Sequence, residues 1–309
     1  MVYEALRPPW PRVPSVPSSL LFVLAPVAFV LIWSTGWISA RFGAPYADPL
    51  TFLSVRYALA AALLCAFCLA ARATWPATRR EFGHAVASGV LLHGFYLGGV
   101  WWAIAQGLPA GISGLLAAIQ PILTAALAPT LVGERIGPRQ WVGIGLGCAG
   151  MAMVLQPKLS GLTAADLQAV IAPLIVNVFA MISVTLGTFY QKRFIATGDL
   201  RTVATLQYVG ALALTLPLAL LTESLRITWN LTVVLTMAWS VLALSIGAIG
   251  LLLMLIRRGA VSRAATLIFL VPPTVALEAY WLFGEAMGLV QVAGMVVTAG
   301  GVALATRRG

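Results

Sequence analysis

Two ionisable side chains, Arg56 and Glu278, fall well inside long apolar stretches of the chain. A charge at the centre of a membrane-spanning helix costs about 3 kcal/mol on insertion scales, so such residues turn toward a protein interior and mark the path of a solute or an ion. Arg56 suits a substrate carboxylate, and Glu278 suits a substrate ammonium or a coupling proton. The competing readings are structural: an ion pair between the two, a hydrogen bond between helices, or an Arg that snorkels to the interface.

A wider set of polar and aromatic side chains shares these stretches and completes a candidate substrate cavity: Trp33, Ser34, Trp37, Tyr57, His93, Tyr96, Trp101, Gln120, Asn177, Tyr190, Gln207 and Tyr208. Trp101, with Trp102, also fits the aromatic belt at a membrane interface. His93, in mid-span, suits either a proton carrier or a packing hydrogen bond.

Other motif matches point away from catalysis. Cys65-Ala66-Phe67-Cys68 has C-x-x-C spacing, but a redox pair needs a polar, partly exposed thiolate and this one lies in an apolar helix. Gly145 to Gly150 matches G-x-G-x-x-G without the strand-to-helix turn that a dinucleotide site requires; Gly143, Gly147 and Gly150 instead form a small-residue face for close helix packing. With only His84 and His93 as histidines and no H-E-x-x-H, no metal site, cofactor or membrane-enzyme centre is expected.

The elements that position these residues are helices. Of 309 residues, 61% are apolar and 9% charged, and the mean hydropathy is +0.96, which excludes a water-soluble domain. The formal charge of +10 is scattered between apolar spans rather than gathered on one solvated face, so no nucleic-acid partner is expected. The pattern predicts an all-α integral membrane protein with ten transmembrane helices at about residues 20–40, 49–71, 83–105, 110–130, 139–156, 170–191, 202–221, 233–256, 264–283 and 288–306. With the N-terminus inside, 15 of the 19 Lys and Arg residues fall on the cytoplasmic side and three outside, so both termini are expected in the cytoplasm. Residues 1–19, rich in Pro, read as a cytoplasmic tail rather than a cleaved leader, because the apolar stretch that follows is too long for one.

The chain also repeats itself. A shift of 151 residues without gaps superposes Pro121 on Pro272, Gly133-Glu134 on Gly284-Glu285, Gln140 on Gln291, Gly143 on Gly294 and Gly150 on Gly301. The copies lie an odd number of spans apart and so face opposite sides of a bilayer, the pattern of an alternating-access carrier. Pro121 and Pro272, which interrupt spans, are candidate gates. Glu134 and Glu285, each just after a Gly at a helix end, are expected to tie their hairpins together through Gln140 and Gln291.

On Trp33-Ser34-Thr35-Gly36, Arg56, the Pro121 to Gly150 block and its copy from Pro272, the chain resembles the EamA-type, ten-helix branch of the drug/metabolite transporter superfamily. The resemblance implies two inverted five-helix repeats, at 20–157 and 170–306, around a central cavity. It implies a secondary carrier in a bacterial inner membrane that exports small polar metabolites such as amino acids. No ATP-binding loop is present, in accord with that energy source. An importer of another metabolite class and a non-transporting receptor or structural subunit are the alternatives. The expected partners are a small-molecule substrate and membrane lipid, and nothing in the chain demands more than a monomer.

Overall fold

The computed structural model describes residues 18–117, 119–132, 137–159, 164–195, 198–248, 251, 271–285 and 287–306. The chain forms α1 (Ser18–Gly43), α2 (Pro49–Ala70) and α3 (Arg79–Gly89), which passes through a π-helical segment, Val90–Phe95, into α4 (Tyr96–Ala105). There follow α5 (Ala110–Leu116), α6 (Ile119–Val132), α7 (Pro138–Leu159), α8 (Ala164–Phe194) and α9 (Leu200–Thr222). Then α10 (Leu231–Trp239) runs into a second π segment, Ser240–Gly247, and α11 (Val271–Phe283) and α12 (Leu289–Thr306) complete the series. Among the described residues the one strand-like contact is an isolated bridge between Ala47 and Ile227. The described part of the molecule is all-helical.

Four described helices are long and apolar enough to cross a membrane: Pro49–Ala70, Arg79–Ala105, Ile171–Phe194 and Leu200–Thr222. Helices suit that setting because each closes its backbone hydrogen bonds internally, where no water can substitute. They expose apolar side chains, among them Leu63, Phe67, Phe179 and Leu221. Polar caps mark helix starts: Thr78 and Glu81 form a reciprocal capping box on α3, and the Asn230 side chain accepts from the Val233 amide on α10.

The continuous helix expected over 110–130 is broken between α5 and α6. Pro121 has no N–H to offer the Ala117 carbonyl four residues back; the Gln120 amide takes that carbonyl instead at 3.1 Å, in a tighter turn. Elsewhere small residues let helices meet at the backbone. A Cβ on Gly89 of α3 would lie 2.0 Å from the Gln207 carbonyl oxygen of α9, and one on Gly210 of α9 would lie 2.1 Å from that of Val86. The same holds where α7 crosses α12, on the glycine face that the sequence marks for packing.

One end of the bundle is laced by its loops. The Asp48 amide donates to the Arg226 carbonyl at 2.9 Å and the Thr228 amide to the Tyr46 carbonyl at 2.8 Å, so the turn after α1 pairs with the turn after α9. Arg41 lies over the Phe283 ring at 5.9 Å, bringing the end of α11 to the same place.

Candidate functional site

Arg56 is buried, 4% exposed, and its Nε donates to Ser245 Oγ at 3.1 Å. Among the described residues no carboxylate lies within ion-pair distance of it. Around it α2 and α9 bring two tyrosines together: the rings of Tyr57 and Tyr208 stack at 5.8 Å, and His93 stacks on Tyr208 at 4.9 Å. Each tyrosine hydroxyl donates to a carbonyl in a π segment, Tyr57 to His93 at 3.0 Å and Tyr208 to Ser245 at 3.2 Å. Gln207, buried one position before Tyr208, donates to Ser88 Oγ at 3.0 Å and Gln191 Oε1 at 3.3 Å.

Glu278 stands apart from Arg56, and the ion pair considered from the sequence is not formed. Its Oε1 accepts from the Ser34 hydroxyl at 2.7 Å, and its buried Oε2 has no hydrogen-bond partner among the described residues. The reason is placement: Glu278 faces α1 from α11, whereas Arg56 on α2 turns to the second π segment. Ser34 also donates to the Leu31 carbonyl at 2.9 Å, so one hydroxyl hydrogen serves two acceptors and compensates the carboxylate only in part. One turn along α1, Trp37 is buried, and its indole N–H has no partner among the described residues.

The remaining candidates divide. Tyr96 is buried, Trp33 is half-buried with its ring 5.4 Å from Phe29, and Gln120 is half-buried. Asn177 is fully buried and donates to Ser113 Oγ at 2.6 Å, and its side-chain oxygen has no partner among the described residues. Trp101 is no belt residue: it is 2% exposed and stacks on Phe52 at 4.7 Å, because Gly43 of α1 leaves room for its indole. Tyr190 lies away from Arg56, with its hydroxyl 2.7 Å from His84 Nδ1.

The hairpin tie expected of the repeated glutamates takes another form. Glu285 accepts from the Ala110 and Gly111 amides at 3.0 and 3.1 Å and so caps α5, whose first amides have no partner within the helix. Gln140 and Gln291 each reach back to an amide at the start of their own helices, Gly137 at 2.8 Å and Gly288 at 2.9 Å. Glu134 lies outside the described residues, as does the side chain of Pro121, while Pro272 is buried near the described start of α11. Two residues went unsingled in the sequence. Ser245 carried only the faint signal of a serine in an apolar run, and Glu223, which accepts from the Leu50 and Thr51 amides at 2.8 Å each and caps α2, carried none.

Among the described residues Arg56 meets no carboxylate and Glu278 no cation, and charges buried in an apolar-faced helical bundle are a mark of membrane transporters. The comparisons agree. A probable amino-acid metabolite efflux pump of Salmonella typhimurium is 26% identical over 284 residues, 88% of this chain and 90% of that protein. An uncharacterized inner membrane transporter of Escherichia coli K12, YedA, is 32% identical over 127 residues, 41% of each chain. One crystal structure superposes with a TM-score of 0.63 at 21% identity over 92% of this chain and 95% of its own, which shows the fold. The EamA-like transporter family matches residues 20–156 and again 171–307, and the chain belongs to this family of multi-pass membrane transporters in the drug/metabolite transporter superfamily.

Proposed function

We propose that the protein is a secondary carrier that works by alternating access and exports small zwitterionic or anionic metabolites such as amino acids. In this reading ten spans form two inverted five-helix units, both termini are cytoplasmic, and the site lies between the units. The observation that carries it is the unneutralised pair: among the described residues Arg56 is buried without a carboxylate and Glu278 keeps one oxygen unpartnered. A solute carboxylate would complete the first and a solute ammonium, or a proton, the second. The 151-residue shift carries Arg56 onto Gln207, so only one copy places a cation at this level, which suits a substrate bound in a single orientation.

Support for the inverted arrangement comes from α7 and α12, which cross antiparallel on matching glycines, and from the relative named as an amino-acid metabolite efflux pump. Pro121 and Pro272 then serve as pivots and Glu285 as a latch that holds one end shut. The test is flux in proteoliposomes from a mixed pool of amino acids and common metabolites, read by mass spectrometry for wild type and Arg56→Ala. Selective movement lost in the variant supports the proposal; no movement of any solute, with or without a pH gradient, sinks it.

A further inference from the structure

The second π segment holds the residue that holds Arg56. Ser245 Oγ accepts from Arg56 Nε at 3.1 Å and donates to the Ser240 carbonyl, five residues back, at 3.0 Å. Its own carbonyl accepts the Tyr208 hydroxyl at 3.2 Å. A π turn slips the backbone ladder by one residue and frees a carbonyl from its usual partner; such turns are rare and gather at functional sites.

The first copy has the same device. Tyr57 donates to the His93 carbonyl within Val90–Phe95. The shift that carries Tyr57 onto Tyr208 carries Val90–Phe95 onto residues 241–246, inside the second π segment Ser240–Gly247. The stacked tyrosines join the two copies at 5.8 Å. The match is not exact: the shift carries His93 onto Leu244, one residue before the carbonyl that Tyr208 uses, and Arg56 stands against Gln207.

We propose that Tyr208 and Ser245 are positioning residues that aim Arg56 at an anionic group of the solute and so set a preference for carboxylates, an inference that rests on the substrate reading of Arg56. Arginine carries its donors on a planar fork. With Nε fixed on Ser245, the two terminal nitrogens keep the geometry for a bidentate contact with a carboxylate. Tyr208 stops the π turn from relaxing to an α-helical ladder, which would carry Ser245 away.

The test uses Tyr208→Phe, which keeps the ring and both stacking partners and removes one oxygen, together with Ser245→Ala and the double variant, all in the full chain. The first readout is the rate at which phenylglyoxal modifies Arg56, followed by mass spectrometry; each single variant is expected to raise it about fivefold, the double no further, because both act through one contact. The second is competition in proteoliposomes between leucine or phenylalanine and the matching α-amides. The variants are expected to raise KM for the acids about tenfold while leaving that for the amides, and Gly145→Ala, whose added Cβ meets nothing within 4 Å, is expected to keep the acid-to-amide ratio. Unchanged modification of Arg56 overturns the positioning role whatever is transported. Faster modification with no transport of these solutes by wild type overturns the substrate reading and, with it, the carboxylate preference, while an equal loss for acids and amides reduces Tyr208 to packing and overturns the inference.

Discussion

Gly150 and Gly294 meet backbone to backbone: a Cβ on either would lie 2.6 Å from the carbonyl oxygen of the other. Gly301 repeats the contact on Gly143, again at 2.6 Å. The repeat shift carries Gly143 onto Gly294 and Gly150 onto Gly301, so the crossing of α7 and α12 is self-complementary, as a two-fold contact must be. Gly150→Val would run into the backbone of Thr298 and Gly294 and is expected to cost about 3 kcal/mol, seen as a lower melting temperature in detergent. Gly145→Ala, whose Cβ would meet nothing within 4 Å, is the control and is expected to leave melting unchanged or raise it.

Glu278→Gln separates charge from packing. Glutamine keeps the size of the side chain and an oxygen for the Ser34 hydroxyl but carries no charge. Flux is expected to fall at least about tenfold in Glu278→Gln and in Glu278→Ala alike, with melting of the glutamine variant unchanged. Wild-type flux in the glutamine variant would reduce Glu278 to a tie between α1 and α11.

Much of this arrangement was legible in the sequence because apolar runs and small residues speak locally. The runs located helices, and the glycines of α7 marked a packing face, though not that α12 would meet it. Tyr57 and Tyr208 both belong to the candidate pool and the repeat shift superposes them, yet their stacking needs α2 and α9 to be neighbours. The π turns leave no mark in composition, since a one-residue slip of the ladder changes no residue type. Arg56 and Glu278 invited pairing as opposite charges deep in apolar spans, but which way a side chain faces depends on the helix beside it. Glu223 could not be found, because its partners lie 173 and 172 residues away.

Removal of the Glu223 carboxylate should loosen the start of α2. It accepts from two amides and from the Thr51 hydroxyl at 2.7 Å, and a lost cap costs about 1 kcal/mol. In Glu223→Ala, hydrogen exchange at the Leu50 and Thr51 amides is expected to quicken about fivefold, with α7 and α12 unaffected. Glu285→Ala should do the same at Ala110 and Gly111. Unchanged exchange at these four amides would show that water replaces the caps at no cost.

Asp48 makes the laced end of the bundle sensitive to acid. Burial pushes its carboxyl up, but hydrogen bonds from the Arg226 amide and the Ser224 hydroxyl, with the Arg226 charge beside it, outweigh that and hold it below the ordinary value of 3.8. A carboxyl lowered by folding contributes stability that is fully present above its unfolded value and lost as pH falls through the folded one. Pairing of the turns after α1 and α9 should therefore be constant from neutral pH to about 5 and weaken below about 4. Hydrogen exchange at the Thr228 amide, which donates to Tyr46, reads this directly. In Asp48→Asn, which cannot ionise, the same amide is expected to exchange faster at neutral pH and, after correction for intrinsic rates, to show no step on acidification. A step that persists in that variant would place the acid-sensitive group elsewhere.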